Sequence, residues 1–419
     1  MSTVKELIEQ ANAEVFRRIT AADPVLVDVA PAHEVIPRLA GDGKVVLHSG
    51  PPVTWPRMCG AQKGAAIGMA LFENWSKTPD QAQALFEAGE VVLEPNHHHR
   101  AVGPMAGTIT ASLPVFVVEN RSYGNLAYCR PVESRQQFGD HGPEALRTLA
   151  TWRDVWGPAL RNALRSMGGV PLKPLISRAL EMGDELHNRQ VAASSLFANV
   201  MTIPLLECGL PKEQALSTLR LLGNHPVFFL GLAMASAKAA TDPARGVEYS
   251  TVVTTMARNG TEFGIRVSGL DGQWFSAPAP PVDGLMLPGY AARDAGLDMG
   301  DSAITEVVGW GGFALGGAPG ILSLVGGTVD QALTVTRDMR EITVGESPDY
   351  RIPALDFRGA AVGIDIRKVL QKSILPVIDT AIAHREPGHP IIGAGWVRPP
   401  VACFQQALAS FAHRYQVER

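Results

Sequence analysis

The spacing of apolar residues divides the chain into three stretches. Up to about residue 142, short apolar runs at 25–29, 44–47, 91–93 and 114–118 end in glycine, proline or polar clusters and predict strands. Amphipathic stretches at 1–20, 57–75 and 80–88 predict helices between them. From Gly142-Pro143 to Asp242-Pro243 the spacing lengthens to near four, and residues 145–167, 173–182, 190–206, 212–222 and 228–241 read as helices broken by Gly, Pro or Asn. Extended structure then returns. The run 250–257 leads to Asn259-Gly260, a tight-turn dipeptide, and residues 265–268 alternate as the returning strand of a hairpin. A strand at 273–275, a helix at 329–341, a strand near 361–366, a helix from Arg367, a turn at Glu386-Pro387-Gly388-His389 and a helix at 401–413 complete the pattern. It predicts an α/β, multidomain chain: an N-terminal α/β domain over 1–142, a central helical insertion over 143–245 and a C-terminal α+β domain over 246–419.

Polar residues at the strand ends carry the candidate chemistry. His48-Ser49-Gly50 follows the second strand, Asn96 to Arg100 the third, and Glu119 to Asn125 the fourth; in a parallel sheet these ends would converge on one edge. Three of the eleven histidines stand together at 97–99. Extended geometry would put His97 and His99 on one face and His98 on the other, suited to general acid–base work or to polarising a carbonyl, with Arg100 for a carboxylate or phosphate. A solvated loop and a metal held by His97 and His99 are the alternatives, but no carboxylate or thiolate stands at a convincing ligand spacing. Ser49 and Gly50, facing the start of the small-residue helix at 57–75, could receive an anion; close helix packing explains the same glycines. Asn120, Asn125 and Asn259 could hold an amide, Arg258 could clamp an anion, and Glu262 could orient an amide or ammonium group. His225 interrupts two apolar helices, as a structural histidine or as part of the site. Asp298 and Asp301 read as helix caps, with magnesium or calcium coordination as the alternative, though the regular Asp-x-Asp-x-Asp-Gly pattern of a calcium loop is absent. The glycine-rich segment 307–327 signals either closely packed backbones or a loop at a ligand.

Composition narrows the function classes. A length of 419 residues exceeds one ordinary core, and a net charge of -4 gives no reason to expect nucleic acid. Cys59, Cys129, Cys208 and Cys403 form no CxxC pair and fit a reducing compartment. Neither a signal peptide nor a membrane span of about 20 apolar residues is visible, so a cytoplasmic protein acting on a small molecule is expected. No Walker A or dinucleotide fingerprint is present, and no cofactor is expected. The density of glycine-rich packing suggests a homo-oligomer.

Six strings, His48-Ser49-Gly50-Pro51-Pro52, Pro95 to Gly107, Gly124 to Cys129, Arg258-Asn259-Gly260, Gly363 to Val369 and Gly393-Ala394-Gly395, resemble the YlbE/YahG-like family of bacterial proteins and span nearly the whole chain. The resemblance implies an α/β fold with a helical insertion. It also implies a subunit of oxamate carbamoyltransferase, working beside an FdrA-type subunit in allantoin breakdown and interconverting oxalurate plus phosphate with oxamate plus carbamoyl phosphate. Arg130-Pro131-Val132-Glu133 departs from the Asn-Glu-Gly segment expected after Cys129, which bears on the acceptor. The Ser-Thr-Arg-Thr and His-Cys-Leu-Pro signatures of the usual carbamoyltransferases are absent, so any such chemistry uses an unrelated site. A metal-dependent amidohydrolase and a non-catalytic ligand-binding subunit are the other classes to weigh.

Overall fold

The computed structural model describes residues 3–416. The helix expected over 1–20 spans Val4–Thr20, and residues 1 and 2 lie outside the described residues. It starts at a Thr3/Glu6 capping box and buries Ile8, Ala11, Asn12, Val15 and Ile19, one stripe of a 3.6-residue repeat. That stripe packs on the hairpin Thr343–Ile352 and Arg358–Ile364 near the other end of the chain. Asn12 Nδ2 locks the contact, donating to Thr251 Oγ1 at 2.9 Å and to Asp365 Oδ2 at 3.1 Å.

The fold is α/β, built around several small sheets rather than one parallel sheet. The largest has the order Ala101–Val102, Asn125–Cys129, Pro114–Asn120, Pro24–Pro31, Val170–Pro171, and only its first pair is parallel. Alternation along its strands sorts the side chains. Phe116, Val118, Ala127 and Cys129 join the core formed with the helical insertion, whereas Val115, Val117 and Tyr128 face Val45 and Leu47. The latter pair belongs to Val45–His48, which pairs in parallel with Val92–Pro95 across a connection containing the helices Gly60–Phe72 and Pro79–Glu87.

The insertion is helical as expected, with Gly157–Met167 packed on Pro24–Pro31 and Leu230–Thr241 on the Pro114–Asn120 and Asn125–Cys129 strands. In the last third, Val253–Asn259 and Glu262–Val267 form the hairpin at Asn259-Gly260, flanked by Phe275–Pro278 and Met299–Gly300. A second antiparallel sheet, Asp283–Met286, Ile391–Val397 and Ile378–Ala383, went unread in the sequence apart from its turn at 386–389. The largest core runs without a break through all three stretches, taking Val29, Leu160, Phe197, Val253 and Phe404.

The glycine-rich segment folds into short turns around the helices Ile304–Val307 and Leu322–Val325. Its glycines serve close packing: a Cβ on Gly312 would lie 2.0 Å from the Val377 carbonyl oxygen. All four cysteines are free, and no helix among the described residues is long and apolar enough to cross a membrane.

Candidate active site

The parallel pair ends at His48 and Pro95, opposite one another, and so brings Ser49-Gly50 beside Asn96-His97. An anion does meet these groups, but the protein supplies it. Asp301, fully buried, accepts from Gly50 N at 2.8 Å through Oδ1, and from Asn96 Nδ2 at 2.9 Å and Gly103 N at 3.0 Å through Oδ2. His97 Nε2 lies 3.4 Å from Oδ1. Asp301 is therefore the hub of the strand ends and not a helix cap. Gly50 is required here: its φ is +83°, and a Cβ would lie 2.6 Å from the Arg258 carbonyl carbon. Ser49 Oγ donates to the Met105 carbonyl at 2.5 Å, and Gln62 Nε2 ties the small-residue helix to the Ser49 carbonyl at 3.1 Å. Burial pushes the His48 and His97 imidazoles down, with Asp301 opposing the shift at both.

The histidine run is not extended. Asn96–His99 forms a 3-10 turn, whose period of three sends the rings in three directions. His97 points into the hub. His98, at the surface, accepts from Trp274 Nε1 at 2.9 Å, and desolvation together with Arg266 lowers its pKa to about 4. His99 Nε2 pairs with Glu94 Oε2 at 2.5 Å. Arg100, with φ +57°, is exposed beyond the turn. His97 and His99 therefore share no face, and the metal alternative loses its geometry.

The other sequence candidates also hold backbone. Asn120 and Asn125 face each other across a hairpin, and both donate to the Ala239 carbonyl at 3.0 Å, so that strand end does not join the edge at Ser49. Arg258 is buried with all five N–H groups engaged, on Asp298 (2.7 and 2.9 Å), the Gly300 carbonyl, Ser302 Oγ and Thr380 Oγ1, which leaves no donor for an incoming anion; Asp298 is its counterion and not a cap. Asn259 shapes the hairpin turn, accepting from Thr261 N and Glu262 N, and Glu262 pairs with Arg57 at 2.7 Å.

An open space lies just beyond the hub. Asp301 leads directly to Ser302, which lines a cleft of about 290 Å3 where the three stretches meet. Met105, Glu133 and Gln137 come from the first stretch, His187, Asn188 and His225 from the second, Thr380 and Ile391 from the third. His187 Nδ1 is 2.8 Å from Glu306 Oε1. That contact fixes the tautomer with Nδ1–H on the carboxylate and leaves Nε2 as the nitrogen available to a ligand. Glu306 is itself held by Gly312 N at 3.1 Å, Asp379 N at 3.2 Å and Thr305 Oγ1 at 3.0 Å.

Beside the dyad, Asn188 Nδ2 donates to Asp379 Oδ1 at 2.5 Å, and Glu185 accepts from the amides of His187 and Asn188. Burial and neighbouring negative charge raise the Glu185 and Asp379 carboxyls well above the usual range, burial being the larger cause. Across the cleft, Glu133 accepts from three successive amides, Arg135, Gln136 and Gln137, and pairs with buried Arg130 at 3.1 Å. His225 Nε2 lies 3.2 Å from the Val132 carbonyl, while its Nδ1 is buried without a partner. Among the described residues that line the cleft, none is lysine or arginine.

Sequence reasoning passed over His187, Glu306 and Asn188, and met Glu133 only within the departure after Cys129. The available signal was Asp184-Glu185-Leu186-His187-Asn188-Arg189-Gln190, a polar run between two apolar helices that reads as a simple break.

Comparison with known proteins gives the family. The family model of the oxamate carbamoyltransferase subunit AllG matches residues 91–302, and AllG of Escherichia coli (strain K12) is 43% identical over 410 residues, covering 97% of this chain and 98% of that protein. This chain belongs to the AllG family. The resemblance read from the six strings therefore holds. A second E. coli K12 relative, the uncharacterized protein YahG, is 46% identical over 419 residues, 99% of this chain and 88% of that protein. A crystal structure of a conserved protein of unknown function from Enterococcus faecalis V583 superposes with a TM-score of 0.96 at 44% identity, covering 99% of each chain. The family-model match takes in Asn96, His97, Gly103 and Asp301 of the hub, with His187 and His225, and leaves out Gly50, Glu306 and Asp379.

Proposed function

We propose that this AllG-family chain is a subunit of a cytoplasmic carbamoyltransferase acting on a small ureido acid such as oxalurate, and that the cleft is its reaction site. The observation that carries this reading is the His187–Glu306 dyad, whose free nitrogen belongs to a residue lining the cleft, in a chain related throughout to an oxamate carbamoyltransferase subunit. The reaction needs one proton moved. A phosphate oxygen attacks the ureido carbonyl carbon, the bond from that carbon to the oxamate nitrogen breaks, and the proton of hydrogen phosphate must end on the departing nitrogen. Neutral His187 Nε2 takes the first proton and returns it to nitrogen, while Glu306 steadies the imidazolium between the two transfers. Asn188 and Gln137 supply amide groups for the ureido end.

A phosphate and a carboxylate both want cations, and the cleft lining supplies neither lysine nor arginine. A partner subunit, of the FdrA type, would supply them. The same observation favours a second reading, in which this chain binds ligand while the partner performs the chemistry. The reaction itself is tested by incubating oxalurate with phosphate and the purified chain, alone and with its partner subunits, and following carbamoyl phosphate. Formation only in the assembled enzyme is expected. No carbamoyl phosphate in any combination overturns the proposal.

A further inference from the structure

The turn between Ile378–Ala383 and Ile391–Val397 carries His384, Glu386 and His389, and one ligand atom of each lies within 4.8 Å of the others. We propose that these three side chains form a divalent metal site, best matched to zinc, on the turn that runs into the cleft wall. The turn passes directly into Pro390 and Ile391, which line the cleft, and Gly388 N donates at 3.0 Å to the carbonyl of Phe138, another lining residue. Its other end is fixed by Arg385 N on the Asp294 carbonyl at 2.8 Å, so the donors sit on a tethered loop.

The donor chemistry is specific enough to choose an ion. Two imidazoles and one carboxylate are the ligand types of open zinc sites, which keep a fourth position for water or an anion. Magnesium and calcium prefer oxygen-rich sets. The rings of His384 and His389 stack at 4.0 Å with an interplanar angle of 27°, which holds the two imidazoles side by side. His384 Nδ1 accepts from Glu386 N at 3.0 Å, so ligation through that nitrogen exchanges one neutral hydrogen bond for a metal bond, and the rings open slightly to share the ion.

Alongside a partner subunit, the site is a second source of the positive charge that the cleft lining lacks. With no lysine or arginine in the lining, the open position of the ion provides a cation for an anionic oxygen such as that of inorganic phosphate. This second role rests on the reading of the cleft as a phosphate-using site; metal capture does not.

Equilibrium dialysis of the purified full chain against zinc, followed by metal analysis, tests the first step apart from any turnover. Wild type should retain about one zinc ion per chain, the His384→Ala/His389→Ala variant should lose it, and Glu386→Gln should bind about tenfold more weakly. Equal uptake by wild type and double variant, or no uptake by either, overturns the site. Calorimetry with inorganic phosphate tests the second step: zinc loading should raise phosphate affinity in wild type only. Zinc uptake without that gain overturns the anion role.

Discussion

Asp301 decides the layout of the strand ends through four groups that converge on its two oxygens: the amides of Gly50 and Gly103, the Asn96 side chain and the His97 ring. Removing the carboxylate strands the Gly50, Gly103 and Asn96 donors, each costing about 1–3 kcal/mol. Asp301→Ala should therefore lower stability by about 3 kcal/mol or more, read as a shift of the urea midpoint; a change under about 1 kcal/mol would show that the hub is not organising. Asp379 makes a prediction of a different kind. Its folded pKa is raised, so the folded state holds a proton that the unfolded state releases; the stability this contributes is present below the unfolded pKa and is lost as pH rises through the folded one. Asp379→Asn removes that loss. Its urea midpoint relative to wild type should climb as the pH rises above the ordinary aspartate range, whereas a constant difference contradicts the raised pKa. At this scale the sequence showed where the histidines were but not what they faced, because the partners of His97 and His187 come from residues 301 and 306, far along the chain.

Elements whose cause is local were legible. Asn259-Gly260 turns the hairpin because Gly260 takes φ +74° and Asn259 Oδ1 gathers the amides of Thr261 and Glu262, chemistry contained in four residues. The two strands of the parallel pair were legible in the same way, from apolar runs ending in polar residues, though not their pairing. The histidine run was misjudged, since nothing before Arg100 marks the change from strand to 3-10 turn. The sheet containing Ile391–Val397 was missed because its strand reads Ile-Ile-Gly-Ala-Gly-Trp-Val, and glycine lowers strand propensity. Those glycines are there for neighbours: a Cβ on Gly395 would sit 2.1 Å from the Asp283 carbonyl oxygen. Gly395→Ala should accordingly displace the edge strand and cost about 1–3 kcal/mol, seen as a lowered Tm; an unchanged Tm would mean the strand is free to move.

For the whole molecule, helices dominate 143–245 and strands mix with helices on either side, yet a single core runs through all three stretches. Sequence spacing reports which face of an element is buried but not against what, so the packing of Val4–Thr20 on the hairpin at 343–364 could not be read. A fragment of residues 1–142 loses that partner and the insertion that covers its sheet, and it should show no cooperative unfolding transition by circular dichroism; a sharp transition would establish an independent domain. The same interlocking builds the cleft, to which every stretch contributes a wall.

The most direct test of that cleft as the reaction site is carbamoyl phosphate formation from oxalurate and phosphate by the assembled enzyme carrying His187→Ala, measured beside wild type and His98→Ala. A fall of about 100- to 10,000-fold in kcat for His187→Ala, with assembly intact and His98→Ala near wild type, is the predicted result. Full activity in the assembled His187→Ala enzyme would contradict it and place the chemistry on the partner subunit.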